Sequence, residues 1–225
     1  MIVTNGVAIM MKTKLSIMKS TITLNTLFIL LFTSSFIFAQ EVANDVSEVH
    51  PLLINASIPD VEVLDIDGNT VNLHKLTAQQ PTMFIFYRGG WCPYCSLHLS
   101  ELKQVEEEIS ALGWQIVAIS VDRPEVLKET LTEGELTYTL LSDSPAKAIK
   151  AFGLAYEVEQ DVVNRYKDAG IDFEKNSGFK HHILPAPAVY MVDTTGKIRF
   201  QYVNPNYKER IAGDVLLAAA KAYME

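Results

Sequence analysis

The stretch Phe84-Ile85-Phe86-Tyr87-Arg88-Gly89-Gly90-Trp91-Cys92-Pro93-Tyr94-Cys95 decides the fold, and it contains both cysteines of the 225-residue chain. The run Thr82 to Tyr87 is rich in aromatic and β-branched residues and predicts a short buried strand. The paired glycines that follow predict a turn. Pro93 suits the first position of a helix, where its missing N–H costs no hydrogen bond. Cys92 is therefore expected at the helix N-cap and Cys95 in the first turn.

This placement favours thiol chemistry. A helix N-terminus carries partial positive charge and free N–H groups, which stabilise a thiolate. Cysteines in such positions have pKa values of roughly 3.5 to 7.5 instead of about 8.5. Cys92 and Cys95 are also close enough in the chain to form and lose one small-ring disulfide. The spacing therefore predicts a redox-active pair.

Two other roles of the cysteine pair are weaker. A zinc site needs about four ligands, and His98 is the only nearby candidate besides the two cysteines. A purely structural disulfide across two residues would add little, because its effect grows with the length of the loop it closes. The adjacent His181 and His182 point to opposite sides of an extended chain. We therefore expect no metal and no cofactor.

Composition and charge narrow the class of protein. The chain is 48% hydrophobic and 20% charged, which suits one globular domain with an appendage. Its formal net charge is -8 at pH 7 and it has no basic block, so nucleic acid is not an expected partner.

The N-terminus has the pattern of a secretory signal peptide. Lysines at positions 12, 14 and 19 precede an apolar run from Leu24 to Phe38, and the small residue Ala39 follows. The run is shorter than the roughly 20 residues of a membrane span, although an uncleaved anchor is the alternative. We expect residues 1–39 to be removed. The mature protein is then periplasmic or otherwise extracytoplasmic, without stable membrane association.

The remaining chain alternates strand and helix patterns. Strand, helix and second strand (Gln115 to Val121) predict a right-handed βαβ unit with parallel strands. The other expected segments are a polar lead-in arm at 40–57, a hairpin at 61–73, a helix from Pro124, a strand at 138–141, a helix at 146–152, an extra helix at 157–169, an irregular insertion at 171–183, a hairpin at 187–203 and a closing helix at 211–223.

Local patterns also place individual side chains. Arg123 and Cys92 each follow a parallel strand, so both should lie at the same edge of the sheet, where α/β proteins place their sites. Arg123 then either supports a thiolate or is an exposed residue at a helix cap. Cys95 lies on the apolar stripe of its helix and should be partly buried, whereas Cys92 should be more exposed. His98 lies off that stripe and is expected in solvent.

Two motifs resemble the thioredoxin fold, namely Trp91-Cys92-Pro93-Tyr94-Cys95 and Pro187-Ala188-Val189-Tyr190. The resemblance implies an α/β fold with a central mixed β-sheet flanked by helices, here with an N-terminal β-hairpin and a helical insertion. It also implies a cis Ala186–Pro187 bond that faces the cysteines, since cis bonds are essentially confined to proline.

Further motifs are similar to peroxiredoxin-like proteins of the alkyl hydroperoxide reductase/thiol-specific antioxidant superfamily. They are the stretch from Phe86 to Cys95, Ser120-Val121-Asp122, Ala151-Phe152-Gly153-Leu154 and Val203-Asn204-Pro205-Asn206-Tyr207. The resemblance covers residues 58–225, which we interpret as one thioredoxin-like domain.

The departures from the family motif Phe-Tyr-Pro-x-x-x-Thr-x-x-Cys concern the residues around the cysteine. The resemblance places Cys95 at the peroxidatic position, with Cys92 at the threonine and Arg88 at the proline. The arginine that the family supplies before a late strand aligns with Pro187. The residues expected to support the two cysteines are Trp91, Pro93, Tyr94, Pro187, Arg88 and Arg123.

The resemblance implies a thiol-dependent antioxidant oxidoreductase. Cys95 would reduce a hydroperoxide and become a sulfenic acid, which Cys92 resolves to the Cys92–Cys95 disulfide. A thioredoxin-like dithiol protein would reduce that disulfide. The alternative is a thioredoxin-like reductase of protein disulfides with Cys92 as the nucleophile. A second alternative is a non-catalytic binding module on the same fold.

Overall fold

The computed structural model describes residues 42–223, so the predicted signal peptide at 1–39 lies outside the described residues. Nine strands are described, and they are β1 (Glu62–Leu64), β2 (Thr70–Asn72), β3 (Thr82–Phe86), β4 (Gln115–Ser120), β5 (Thr139–Ser142), β6 (Ala155–Glu157), β7 (Ile183–Pro185), β8 (Ala188–Val192) and β9 (Ile198–Val203). The α-helices of the same residues are α1 (Leu73–Gln79), α2 (Pro93–Ala111), α3 (Pro124–Glu133), α4 (Lys147–Ala151), α5 (Gln160–Asp168), α6 (Phe173–Ser177) and α7 (Gly213–Ala222).

Seven strands form one mixed sheet in the order β2-β1-β5-β4-β3-β8-β9. β3, β4 and β5 are parallel neighbours, as the βαβ pattern predicts. β8 lies antiparallel to β3, with Phe86 opposite Ala188, and β9 is antiparallel to β8. The predicted N-terminal hairpin is β1 and β2, and it joins the sheet through Leu64 and Ser142. The predicted thioredoxin-type fold is confirmed.

The sheet separates two hydrophobic clusters. Every residue of β3 and β8 is buried, as expected for central strands that are covered on both faces. Side chains alternate along a strand, so Phe84 and Phe86 enter one cluster while Met83, Ile85 and Tyr87 enter the other. The second cluster also contains both cysteines and buried residues of α2 and α7. The two thiols are therefore part of the packing between the sheet and these two helices.

The predicted lead-in arm at 40–57 is bound to the domain over its described part. A short 3-10 helix spans Val46–Glu48 and is capped by the Asp45 side chain. The backbone of Ala43 exchanges hydrogen bonds with Ala155 and Glu157 at 3.0 and 2.8 Å. Side chains attach the arm as well, since Val42, Val46, Val49, Leu52 and Ala56 are partly buried against the cluster that contains Phe84 and Phe86.

The insertion is more regular than predicted. β6 and β7 pair antiparallel to each other outside the main sheet, and α5 and α6 lie between them in the chain. The prediction of irregular structure at 171–183 was wrong for α6, because the Asp172 side chain accepts the Lys175 N–H at 3.0 Å and caps a short helix. Gly178, at φ +77°, ends that helix in the left-handed conformation.

Among residues 42–223, no helix combines the length and apolar character that crossing a membrane requires.

Candidate active site

The two cysteines lie where β3 is joined to α2. Cys92 is the N-cap of α2 and Pro93 is at its start, as predicted. The carbonyl of Cys92 accepts the backbone N–H groups of Cys95 and Ser96 at 2.9 and 3.0 Å. Both cysteines are free thiols. Hydrogen bonds within the first turn of the helix therefore fix the backbone of both cysteines.

The turn before Cys92 is held from a neighbouring strand end. The backbone N–H of Gly90 donates to Oδ2 of Asp122 at 2.8 Å, and Asp122 follows β4. A Cβ atom on Gly89 would lie 2.2 Å from Nε1 of Trp91, so this position excludes any side chain. Burial raises the pKa of Asp122 to about 7. The close approach of the Trp91 ring thus requires glycine at position 89, and at Gly90 a Cβ atom would lie 2.1 Å from Oγ1 of Thr130.

The prediction that Cys92 is more exposed than Cys95 was wrong, since each thiol is only 1% exposed. The cover comes from the hydrophobic cluster between the sheet, α2 and α7, to which both cysteines belong and which the local pattern of the cysteine motif does not reveal. Trp91, beside Cys92, packs on Tyr166 of α5 and Phe173 of α6 with ring centroids 5.5 and 5.1 Å apart. These three rings tie the insertion to the cysteine loop.

The two thiols ionise at different pH. The Cys95 thiol donates a hydrogen bond to Cys92, and this is the main cause that lowers the pKa of Cys92 to about 6. The backbone N–H of Cys95 and the charges of Arg88 and Arg210 act in the same direction, whereas burial opposes them. The same hydrogen bond and burial raise the pKa of Cys95. At neutral pH the pair therefore holds one negative charge, which rests on Cys92 and is adjacent to a proton on Cys95.

A second cation reaches Cys95 from the far end of the chain. Nη2 of Arg210 lies 3.4 Å from Sγ of Cys95. The loop between β9 and α7 holds Arg210, and Asn206 orders that loop by donating to Glu209 at 2.9 Å. The sequence patterns do not single out Arg210, and the available signal was its position three residues after the motif that ends at Tyr207.

Arg88, which we predicted to support the pair, acts on Cys92 through its charge and on Cys95 through its backbone. Its backbone N–H donates a hydrogen bond that lowers the pKa of Cys95. Its guanidinium carbon lies 4.1 Å from the ring centroid of Tyr207 and 5.0 Å from that of Trp91. The predicted Tyr94 is half-exposed and packs edge-on against Tyr207 at 5.8 Å. Trp91, Tyr94 and Arg88 therefore all lie close to the two cysteines.

The prediction that His98 faces solvent was wrong, because His98 is only 4% exposed. Burial is the main cause that lowers its pKa to about 4, and the charge of Arg210 adds to it. Nε2 of His98 has no hydrogen-bond partner within the described part of the chain. His98 is therefore neutral at pH 7, and it lines a small cavity together with Arg210.

The predicted cis Ala186–Pro187 bond was also wrong, since the peptide bonds of residues 42–223 are all trans. The trans form is the more stable one for X–Pro by about 0.5–1 kcal/mol, and here it is compatible with pairing on both sides. Ala186 donates to Leu154 at 2.8 Å and Pro187 accepts from Asn204 at 3.1 Å. Pro187 lines a small cavity together with His98 and Arg210.

Arg123 lies at the N-cap of α3, as predicted, but it is directed to the insertion. Its Nε is 3.7 Å from Oε2 of Glu125, and its backbone N–H donates to Asn176 at 2.8 Å. Within the described residues the guanidinium contact to a cysteine comes from Arg210. The support predicted for Arg123 is thus provided by a residue from the C-terminal loop.

The two adjacent histidines have separate partners. Nε2 of His181 lies 2.6 Å from the Ser144 carbonyl, and Nε2 of His182 lies 3.3 Å from Glu174. No cluster of three or more His, Cys, Asp or Glu side chains that could hold a metal occurs among residues 42–223.

Residues 54–201 match the model of the AhpC/TSA family. Peroxiredoxin Bcp of Escherichia coli strain K12 is 29% identical over 106 residues, which are 47% of this chain and 67% of the relative. The chloroplastic peroxiredoxin Q of Oryza sativa subsp. japonica is 25% identical over 161 residues, which are 72% of this chain and 64% of the relative.

The fold is shared with solved structures of low sequence identity. The crystal structure of reduced Prx3 from Vibrio vulnificus in complex with H2O2 superposes with a TM-score of 0.61 at 18% identity. The superposition covers 76% of this chain and 96% of that protein. At this identity the likeness concerns the fold.

Proposed function

The chain belongs to the AhpC/TSA family and is a thiol-dependent peroxidase, and from this premise we propose that Cys95 attacks the hydroperoxide and Cys92 resolves the product. The single observation that carries the assignment of Cys95 is the Arg210 guanidinium, 3.4 Å from its sulfur. A fixed cation at that place stabilises both a thiolate and the negative charge that develops on the departing oxygen.

The proposed first step uses the charge that the pair already holds. The proton of Cys95 passes along the hydrogen bond to the Cys92 thiolate, so that the charge moves onto Cys95. Sγ of Cys95 then attacks the terminal oxygen of ROOH and the O–O bond breaks. Sulfur is oxidised to the sulfenic acid, and the alkoxide leaves and takes a proton from water to give ROH.

The second step forms the disulfide. Sγ of Cys92 attacks the sulfenic sulfur of Cys95, the S–S bond forms, and the hydroxyl leaves with the Cys92 proton as water. A thioredoxin-like dithiol then attacks the disulfide and returns both cysteines to the reduced state. Peroxiredoxins act with reductants of this general kind, and the particular donor of this chain is part of the proposal.

One observation favours thiol–disulfide exchange as a second activity. Cys92 is the cysteine whose pKa lies near 6, and it is the N-cap of α2, which is the arrangement of an attacking thiolate in a Cys-x-x-Cys reductase. In that reaction Cys92 attacks a protein disulfide and Cys95 releases the mixed disulfide.

The experiment that separates the two activities measures both on one preparation. Peroxide consumption with a thioredoxin system is followed beside the reduction of insulin disulfides. The proposal expects peroxide consumption to be the faster reaction per mole of protein. Insulin reduction without peroxide consumption would overturn the assignment of Cys95 as the attacking residue.

We propose, from the lysine-rich start, the apolar run and Ala39, that the chain is exported and begins near Gln40 when mature. N-terminal sequencing of protein recovered from an exporting host tests this. Recovery of an intact N-terminus in the membrane fraction would overturn it.

A further inference from the structure

A cavity of about 570 Å³ opens beside the cysteine loop. Small-molecule sites in proteins measure about 300–1,000 Å³, so its volume suits a small ligand. The lead-in arm, the insertion and the C-terminal loop all contribute to its wall. The lining residues are Asp45, Val46, Arg88, Tyr156, Val158, Glu159, Val162, Arg165, Tyr166, Ala169, Ile171 and Tyr207.

Arg88 is the buried charge of this wall, with an exposed fraction of 3%. Its Nη2 donates to the hydroxyl of Tyr166 at 3.1 Å. Its Nε and Nη1 are also buried and have no hydrogen-bond partner of good geometry between residues 42 and 223, although the Tyr156 side chain of the same wall lies close enough to Arg88 for a hydrogen bond to act on the pKa of that tyrosine. Buried guanidinium donors normally have acceptors, so these two N–H groups point to a ligand that supplies them.

Aromatic rings fix the orientation of the guanidinium. Its carbon lies 4.1 Å from the ring centroid of Tyr207, 5.0 Å from that of Trp91 and 5.4 Å from that of Tyr166. Ring faces attract a cation but accept no strong hydrogen bond from its N–H groups. The rings therefore hold Arg88 in place and leave the Nε and Nη1 donors for an oxygen acceptor.

The rest of the wall is mostly apolar. Val46, Val158, Val162 and Ile171 lie along it. The other charged lining residues, Asp45, Glu159 and Arg165, are exposed at the rim. A ligand that enters fully would therefore meet one positive charge among hydrocarbon and tyrosine side chains.

We propose that this cavity is a binding site for a small amphipathic carboxylic acid. The carboxylate accepts the free N–H groups of Arg88, and the hydrocarbon part lies against the valine and isoleucine side chains. Arginine suits this role because its planar donors match the two oxygens of a carboxylate. The backbone N–H of the same residue donates to Cys95, so the site adjoins the thiols but contains neither.

Calorimetric titration of the reduced chain with octanoate and with 1-octanol tests the site, because the two probes differ in charge and have the same carbon chain length. We expect octanoate to bind with a dissociation constant roughly ten- to a hundredfold lower than that of the alcohol. Arg88→Gln should remove this preference. Val162→Trp should weaken binding of both probes because the larger side chain occupies part of the cavity, while Val215→Trp, at an exposed position outside the lining, should bind like the wild type.

Equal affinities for the acid and the alcohol, or no binding of octanoate at millimolar concentration, would overturn the proposal. So would an Arg88→Gln protein that keeps the preference. If circular dichroism shows that Arg88→Gln is unfolded, the Val162→Trp protein decides, and octanoate binding at wild-type affinity there would overturn the site. The readout is binding, so it is independent of the peroxidase activity.

Discussion

Nη2 of Arg210 lies 3.4 Å from Sγ of Cys95, although 115 positions separate the two residues in the chain. This contact joins the C-terminal loop before α7 to the first turn of α2. It places a permanent positive charge at the sulfur that we propose as the peroxidatic one. The first prediction tests this contact directly.

Arg210→Met removes the charge and keeps much of the hydrocarbon stem. We expect the second-order rate of peroxide reduction to fall roughly a hundredfold, because a charged donor aimed at the reacting atoms is lost. Stopped-flow tryptophan fluorescence of the reduced protein with H2O2 measures it. The matched control is Arg199→Met, since Arg199 pairs with Asp193 and does not line the site. Equal rates for the two variants would remove Arg210 from the mechanism.

The roles of the two cysteines are separated by single substitutions. Cys95→Ser should abolish peroxide consumption, whereas Cys92→Ser should allow one turnover and accumulate a sulfenic acid on Cys95, because the resolving thiol is absent. Dimedone trapping after one equivalent of peroxide, followed by peptide mass spectrometry, identifies the modified residue. Trapping on Cys92 in the Cys95→Ser protein, with none on Cys95 in the other variant, would reverse the roles and favour disulfide reduction.

The pH dependence of alkylation reports the charge of the pair. The pKa of Cys92 is lowered to about 6, so the rate with iodoacetamide should rise through pH 6 and level off below pH 8. Cys95→Ala removes the thiol donor and should move this midpoint upward. A Cys92→Ser protein should lack the component near pH 6. A single midpoint at the ordinary cysteine value in the wild type would contradict the assignment.

Asp122 should make stability fall between about pH 4 and pH 7. Burial raises its folded-state pKa from 3.8 to about 7, so the folded protein binds more protons than the unfolded one in this window. Asp122→Asn keeps an acceptor for the Gly90 N–H and removes the titration. Relative to wild type, the variant should therefore gain stability from pH 4 to pH 8, by up to about 4 kcal/mol.

Urea unfolding of both proteins at the two pH values measures this gain. The comparison cancels Asp143, whose pKa is raised to about 6 by burial and which acts in the same direction. It also cancels His98, whose lowered pKa destabilises the fold only as the pH falls below its ordinary value. An unchanged stability difference between wild type and variant at both pH values would show that Asp122 does not titrate in this window.

The sequence by itself determined the local secondary structure around the cysteines and the order of strands and helices. The strand before the cysteines, the N-cap at Cys92, Pro93 at the helix start and the βαβ order follow from residues within one turn or one strand of each other. Such local choices depend on backbone geometry and on short-range periodicity, which a single stretch of chain expresses. The family resemblance then led to the prediction that both cysteines react and that Trp91, Arg88 and Tyr94 support them.

Only the tertiary structure decided what surrounds the thiols. The burial of Cys92, the burial of His98 and the contact from Arg210 each depend on parts of the chain that are distant in sequence. For Cys92 they are the sheet and α7, and for the other two the C-terminal loop. The apolar periodicity of a helix reports which face of that helix is buried. It does not predict contact with a side chain more than a hundred residues away in the sequence. The trans bond at Pro187 also lies between two long-range backbone hydrogen bonds, from Ala186 to Leu154 and from Asn204 to Pro187. The pKa values of the cysteines follow from these distant charges and this burial, and for that reason they too belong to the folded chain.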